Sequence, residues 1–174
     1  MKGDERMKKR NRILDILLYL VFVCYLFLLL ILLFRRSHSV RSLNLIPFYS
    51  IYGYLAGDDK VMRAFAVSNV LGNIVIFVPL GIYITLFNHK AKRIQTVLLV
   101  FLFSLIVEII QYSFRVGIGD IDDIILNVFG GVIGLGIYQL LWMILKDRNK
   151  VRNIIAIGAP IGGILSFYIL ILIN

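Results

Sequence analysis

The chain is poor in the residues from which soluble catalytic sites are usually built. It has one cysteine, Cys24, inside an apolar run, so no intramolecular disulfide can form. It has two histidines, His38 and His89, and only 17% Asp, Glu, Lys and Arg, against about 25% in an average soluble domain. No nucleophile elbow, Walker loop, dinucleotide fingerprint or His-rich zinc pattern occurs. The two histidines stand at membrane edges beside basic residues, the placement of solvated interface residues. What the chain has in plenty is apolar surface: 60% of its 174 residues are hydrophobic and its mean hydropathy is +0.89. A globule of 19.9 kDa cannot bury that much. An ordinary cytosolic enzyme, a disordered tail and a disulfide scaffold are excluded. The net charge of +9 raises nucleic acid as a partner. Basic residues beside apolar spans set membrane topology instead, so the expected partner is the lipid bilayer and not nucleic acid.

Five stretches are long and apolar enough to cross a hydrocarbon core, which takes about 20 residues. They run over 13–34, 66–87, 94–114, 121–145 and 154–173. A basic N-terminus, 1–12, precedes a single membrane domain, 13–174. The first stretch could be read as a signal peptide, but its core is too long and Arg35-Arg36-Ser37 is no small-residue cleavage site. The fold class is therefore an all-α integral membrane protein, a five-helix transmembrane bundle. With the N-terminus inside, 13 Lys and Arg fall on the inner side and 6 on the outer. The positive-inside rule then places Asn174 outside.

The loop after the first span carries Leu43 to Leu55, too short to cross and too apolar for free solution. Pro47 and Gly53 break any long helix, and Tyr49, Tyr52 and Tyr54 suit the headgroup level. It is expected as an interfacial or re-entrant segment, either an anchor or the lining of a site.

Polar side chains within spans are costly, so their placement carries information. Ser104, Glu108, Gln111 and Arg115 share one helical face, as do Asn69 and Asn73. Asp120, Asp123, Asn127, Gly130 or Gly131, and Gly134 share another. At a rise of about 1.5 Å per residue, Asn73, Glu108 and Asn127 each lie about 9–10 Å in from one and the same side. Under the topology above that side is the outer leaflet. An ionised carboxylate there is expensive, so Glu108 is expected to be neutral or paired, with Arg115, Asn73 and Asn127 as candidate partners. The plain alternative is an interhelical hydrogen-bond network that only holds the bundle together.

Asp120, Asp122 and Asp123 stand beside Gly117 and Gly119. They can cap a helix N-terminus, where acids complement the dipole. With Glu108 they could alternatively take a divalent cation through oxygen ligands. No cofactor and no dedicated metal site is expected. Gly130-x-x-x-Gly134 and Gly158-x-x-x-Gly162 allow close helix approach and read as packing.

Four stretches resemble, in order and spacing, the VanZ-like family of bacterial membrane proteins. They are Asn44-Leu45-Ile46-Pro47-Phe48, Asn73-Ile74-Val75-Ile76-Phe77-Val78-Pro79-Leu80-Gly81, Glu108-Ile109-Ile110-Gln111, and Asp120-Ile121-Asp122-Asp123 leading to Asn127-Val128-Phe129-Gly130. The resemblance covers about 44–142. It implies a site formed by Asn44, Asn73, Glu108, Gln111, Asp120, Asp123 and Asn127. Val128 stands where family members often carry Thr. The family takes its name from a protein associated with low-level resistance to teicoplanin, a lipoglycopeptide, so the resemblance implies a phenotype and a site but no reaction.

Three functions fit these residues. The first is a protein of the bacterial cytoplasmic membrane that binds or modifies a polar envelope component, lipid-linked wall precursor or lipoglycopeptide at the outer leaflet. Asn44, Asn73, Gln111, Arg115 and Asn127 would then bind. The second is an intramembrane enzyme with Glu108 as acid or base, assisted by Asp120 and Asp123; it lacks a clear nucleophile. The third is a small transporter with Glu108 as a relay, for which the apolar inner halves of the spans offer no path.

Overall fold

The computed structural model describes residues 2–34, 43–56, 60–88, 92–114 and 119–173. Side chains are described for 12–31, 43–52, 67–88, 92–114, 119–160 and 162. Among these described residues, six helices and two very short strands follow in the order α1 (Lys2–Phe34), β1 (Leu43–Asn44), α2 (Tyr49–Ala56), α3 (Lys60–Phe87), α4 (Arg93–Phe114), β2 (Gly119–Asp120), α5 (Ile121–Leu145) and α6 (Arg148–Ile173). Among the described residues four helical stretches are long and apolar enough to span a membrane: Arg12–Ile31, Val67–Phe87, Arg93–Phe114 and Ile121–Leu145. The fifth stretch expected from the sequence lies in α6, most of whose distal side chains fall outside the described residues. The protein is an all-α membrane bundle.

Local chemistry sets the helix ends. At the start of α4, the Gln95 side chain accepts from the Lys92 backbone N–H at 2.8 Å, the acceptor half of a capping box. Helix α5 begins on Asp120, an extended N-cap residue whose carboxylate accepts from Asp122 N–H. It ends at Lys146, which adopts left-handed geometry (φ 48°) and returns its N–H to Trp142 O. Asp147 follows at once and accepts from Asn149 N–H at 2.8 Å, which starts α6. This two-residue connection folds α6 back against α5.

Helices α3 and α5 form the centre of the bundle and run parallel. Gly130 faces the Ile74 carbonyl, Gly134 the Val78 carbonyl, and Gly81 the Gly131 carbonyl. A Cβ placed at any of the three would lie 2.1–2.2 Å from that oxygen. Only hydrogen fits, so the backbones touch. In lipid such contact stabilises association through dispersion and weak Cα–H···O contacts, because no hydrophobic gain is available between apolar helices. The second glycine pair of the sequence behaves differently: a Cβ on Gly158 or Gly162 would meet nothing within 4 Å. Those glycines border a groove between α3, α5 and α6.

Helix α1 packs at the periphery through aromatic rings. Tyr19 stacks on Phe87 with centroids 5.0 Å apart, Phe22 lies 4.8 Å from Tyr83, and the Tyr25 hydroxyl donates to the Ile76 carbonyl at 2.7 Å. Near the opposite end from β1–β2, Arg152 of α6 pairs with Asp15 of α1 at 2.9 Å.

The α3–α5 contact yields a prediction with an internal control. Gly134→Leu is expected to cost about 3 kcal/mol or to prevent folding, because the side chain must displace backbone. Gly136→Ala, at a position where a Cβ meets nothing within 4 Å, should stay within about 1 kcal/mol of the parent. Thermal unfolding of the two variants in detergent checks this; equal melting temperatures would refute the backbone-contact account.

Candidate functional site

The sequence places three carboxylates in four residues at the start of α5, and each reaches a different segment. Asp120 caps its own helix and also accepts from Asn44 Nδ2 at 3.0 Å and Ser50 Oγ at 2.5 Å. Asp122, 1% exposed, accepts from the backbone N–H of Phe48 and, at 3.5 Å, from that of Ile51. Asp123 accepts from Asn73 Nδ2 at 2.5 Å and Asn69 Nδ2 at 3.2 Å. The first turn of α5 thus ties together β1, α2 and α3.

The loop before α2 explains why such ties are needed. Ile46 O accepts from Tyr49 N–H at 3.2 Å. Pro47 and Phe48 occupy the two central positions of that turn, and Phe48 has φ 63°. A type II turn favours proline first and glycine second; a phenylalanine at positive φ is strained by about 1–2 kcal/mol. Asp122 binds the Phe48 N–H and so supplies the counterforce, while it also caps α2 from across the chain. The Asn44 side chain bonds Ser50 Oγ at 3.0 Å and accepts from Ile46 N–H at 3.1 Å. Strands β1 and β2 pair in parallel, Leu43 opposite Gly119 and Asn44 opposite Asp120.

Glu108 is 6% exposed, and its Oε2 accepts from the Asp120 N–H at 3.1 Å. The carboxylate therefore binds the chain at the very residue that caps α5. Gln111, one turn further along α4, is 7% exposed. One turn deeper, Asn127 donates to Ser104 Oγ at 2.9 Å; both are buried. The two asparagines considered from the sequence as donors to Glu108 donate elsewhere: Asn73 to Asp123 and Asn127 to Ser104. The Oδ1 atoms of Asn69 and Asn127 are buried with no hydrogen-bond partner. Arg115 lies outside the described residues, as do His38, His89 and Gly117.

Asp120, Asp122 and Asp123 each take donors from a different segment. Among the described residues no group of three His, Cys, Asp or Glu side chains converges as a metal site requires. The helix-capping alternative holds for Asp120 and extends, through Asp122, to a second helix. The sequence offered Asp122 only as a helix cap or cation ligand and did not offer Ser50, because their actual partners lie 70 or more residues away and no local period marks them. The one available signal was the run of acids itself.

Beside this hub a groove of about 660 Å³ opens between α4 and α5, within the usual range for ligand pockets. Glu108 and Asp120 stand at its hub end, with Leu43 and Leu45 of the β1 segment. Phe101, Ile109, Ile125 and Val128 line its length.

The fold and site define a multi-pass helical membrane protein with a buried carboxylate–amide hub at one end of the bundle and an apolar groove running from it. The VanZ/LLP1 family model matches residues 16–146. Protein VanZ of Enterococcus faecium is 30% identical over 149 residues, which covers 81% of each chain. The chain belongs to the VanZ/LLP1 family. No solved structure matches it.

The long-range cap is testable. Asp122→Ala leaves the N–H groups of Phe48, just before α2, and Ile51, in its first turn, without this acceptor and should cost about 2 kcal/mol. Asp122→Asn, which keeps one acceptor oxygen, should cost less. Hydrogen exchange at Phe48 and Ile51 should accelerate in the same order; unchanged exchange in the alanine variant would show that Asp122 does not hold α2.

Proposed function

We propose that this protein resides in the bacterial cytoplasmic membrane, with its N-terminus inside and the carboxylate hub at the outer leaflet. There it binds or modifies a polar envelope component or lipoglycopeptide and confers low-level teicoplanin resistance. The orientation rests on charge: Lys92, Arg93, Lys146, Arg148 and Arg152 all belong to the end opposite the hub, the side that the positive-inside rule assigns to the cytoplasm. The observation that carries the functional reading is the junction of hub and groove. Glu108 and Asp120 belong to the lining of a cavity whose exposed wall is almost entirely apolar, which suits a ligand held by its apolar part beside the buried hub. Asn44 donates to Asp120 at that end; Asn73, Gln111 and Asn127 are proposed with it as binding residues, although none of the four is in the groove's lining, and Arg115 follows Gln111 on the same face of the sequence.

A second reading, an intramembrane enzyme acting on a lipid-linked substrate, draws support from Glu108 alone, a buried carboxyl that borders the groove. Asp120 and Asp123 would assist. Both of these aspartates already hold structural donors, which leaves Glu108 to act without an evident nucleophile. Transport finds less support. Below Asn127, α5 meets α3 backbone to backbone at Gly130 and Gly134, and such a contact leaves no room for a polar path along the centre.

Expression in a teicoplanin-susceptible bacterium is expected to raise the inhibitory concentration. Glu108→Gln and Asp123→Asn should return it to the vector level while membrane abundance stays normal. Both substitutions keep an oxygen acceptor, so the bundle should persist. Full resistance in both variants would sink the binding reading. A deletion strain with altered lipid or wall-precursor profiles would instead favour the enzyme.

A further inference from the structure

A second groove, of about 410 Å³, runs between α3, α5 and α6 toward the end of the bundle opposite the hub. Pro79 and Ile82 of α3, Leu141 of α5, and Ile154, Gly158 and Gly162 of α6 line it. The glycines keep it open, since a Cβ on either would meet nothing within 4 Å. Such a wall suits an apolar chain and not a polar head. From Ile154 to Gly162 is eight residues of helix, about 12 Å, most of the roughly 15 Å of hydrocarbon in one leaflet.

One polar group of this wall is unsatisfied. Tyr83 lines the groove and is 1% exposed. Its hydroxyl is buried with no hydrogen-bond partner among the described residues. Tyr83 shares a buried cluster with Val151 and Ile155, which places it about one turn inward of Lys150. The headgroup layer is about 5–7 Å deep on each side of a bilayer, so this is the depth at which a phospholipid whose phosphate lies level with Lys150 carries its ester carbonyls. A buried donor left without an acceptor is costly, and an ester carbonyl supplies one.

Charge stands at the mouth. Lys150 precedes Ile154 by four residues, so it lies one turn, about 6 Å, further out on the same face of α6, and it is exposed. The 13 Lys and Arg of this end stand against four acids, Asp4, Glu5, Asp15 and Asp147. Asp15 is paired with Arg152 at 2.9 Å, and Asp147 accepts from the backbone N–H groups of Asn149 and Lys150. Side chains outside the described residues contribute six of those bases and two of the acids, which adds to the same sign. A second copy of the chain seated here would bring an equally basic end and be repelled. An anionic lipid head is attracted.

We propose that the α3–α5–α6 groove binds an anionic phospholipid, with its phosphate beside Lys150, an ester carbonyl at the Tyr83 hydroxyl and one acyl chain along α6 toward Gly162. This site lies apart from the carboxylate hub and goes beyond the function proposed for it.

The experiment uses the full chain in nanodiscs of phosphatidylcholine and phosphatidylglycerol, mixed equally and with identical acyl chains. Lipids retained on release from the disc are counted by native mass spectrometry. One phosphatidylglycerol is expected to be retained, with about tenfold preference over phosphatidylcholine. Lys150→Gln should lower that preference to about twofold. Arg93→Gln removes the same charge from α4, which does not border the groove, and should leave the preference unchanged. Gly158→Phe, whose side chain enters open space, and, independently, Ile154→Trp should abolish retention by filling the groove. Equal retention of the two lipids by the parent, or retention that survives both filling variants, would overturn the proposal. Equal losses in Lys150→Gln and Arg93→Gln would also overturn it, in favour of a general basic field. So would a parent dimer that Gly158→Phe disperses, since the groove would then hold a second copy.

Discussion

The constraint on which this structure turns is the need to satisfy acids at the edge of a hydrocarbon layer. Asp120, Asp122 and Asp123 open α5 where water is scarce and the helix dipole alone does not meet their demand for donors. They find those donors on other segments. Asp123 draws on α3, Asp122 on the backbone entering α2, and Asp120 on Asn44 and Ser50. Each acid therefore fixes one element in place, and the connection between the first two spans folds down onto the bundle as a consequence. Even the strained turn at Phe48 is intelligible in these terms, since its N–H points at Asp122.

This polar arrangement depends in turn on a wholly apolar feature. Asn69 and Asn73 reach Asp123 because α3 and α5 approach to backbone contact through Gly81, Gly130 and Gly134. Spread by the width of one methyl group per contact, the helices would pull those amides out of hydrogen-bond range, where bonds weaken steeply. The glycines and the acids thus act as one unit: small residues set the distance and the hub fixes the register. Helix α4 joins through Val100, whose side chain fills the space that a Cβ on Gly131 would take, and through Glu108 at the cap.

Much of this was legible in the sequence, and the division is physical. Apolar length and helical period report on lipid exposure and on faces, so the membrane bundle and the stripes Ser104–Glu108–Gln111 and Asn69–Asn73 could be read directly. The Gly130–Gly134 spacing likewise announced a close contact. Gly158–Gly162 has the same spacing, yet a Cβ on either would meet open space, because small-residue spacing permits close approach without enforcing it. Partner choice was the other hidden quantity. Asn73 and Asn127 sit at the depth of Glu108, yet lateral position decides which acceptor each one meets, and depth does not carry lateral position. The β1–β2 pairing escaped notice for a related reason. Two residues are too few for a period, and the pairing is held by the Asn44–Asp120 side-chain bond as much as by its ladder.

The distribution of polarity also bears on how such a protein can act on the cell envelope. Its buried polar groups are concentrated at the hub end, and the middle of α5 is sealed against α3 by glycine contacts. A ligand can reach the hub from lipid through the α4–α5 groove, since Phe101 and Ile109 on its wall are substantially exposed. The opposite end offers a different chemistry, aromatic packing and the Arg152–Asp15 pair. The architecture is therefore one-sided: the bonded acids and that groove lie at the same end of the bundle. The carboxylates of that end also cap α2 and α5, so the polar hub and the helix ends are held by the same bonds.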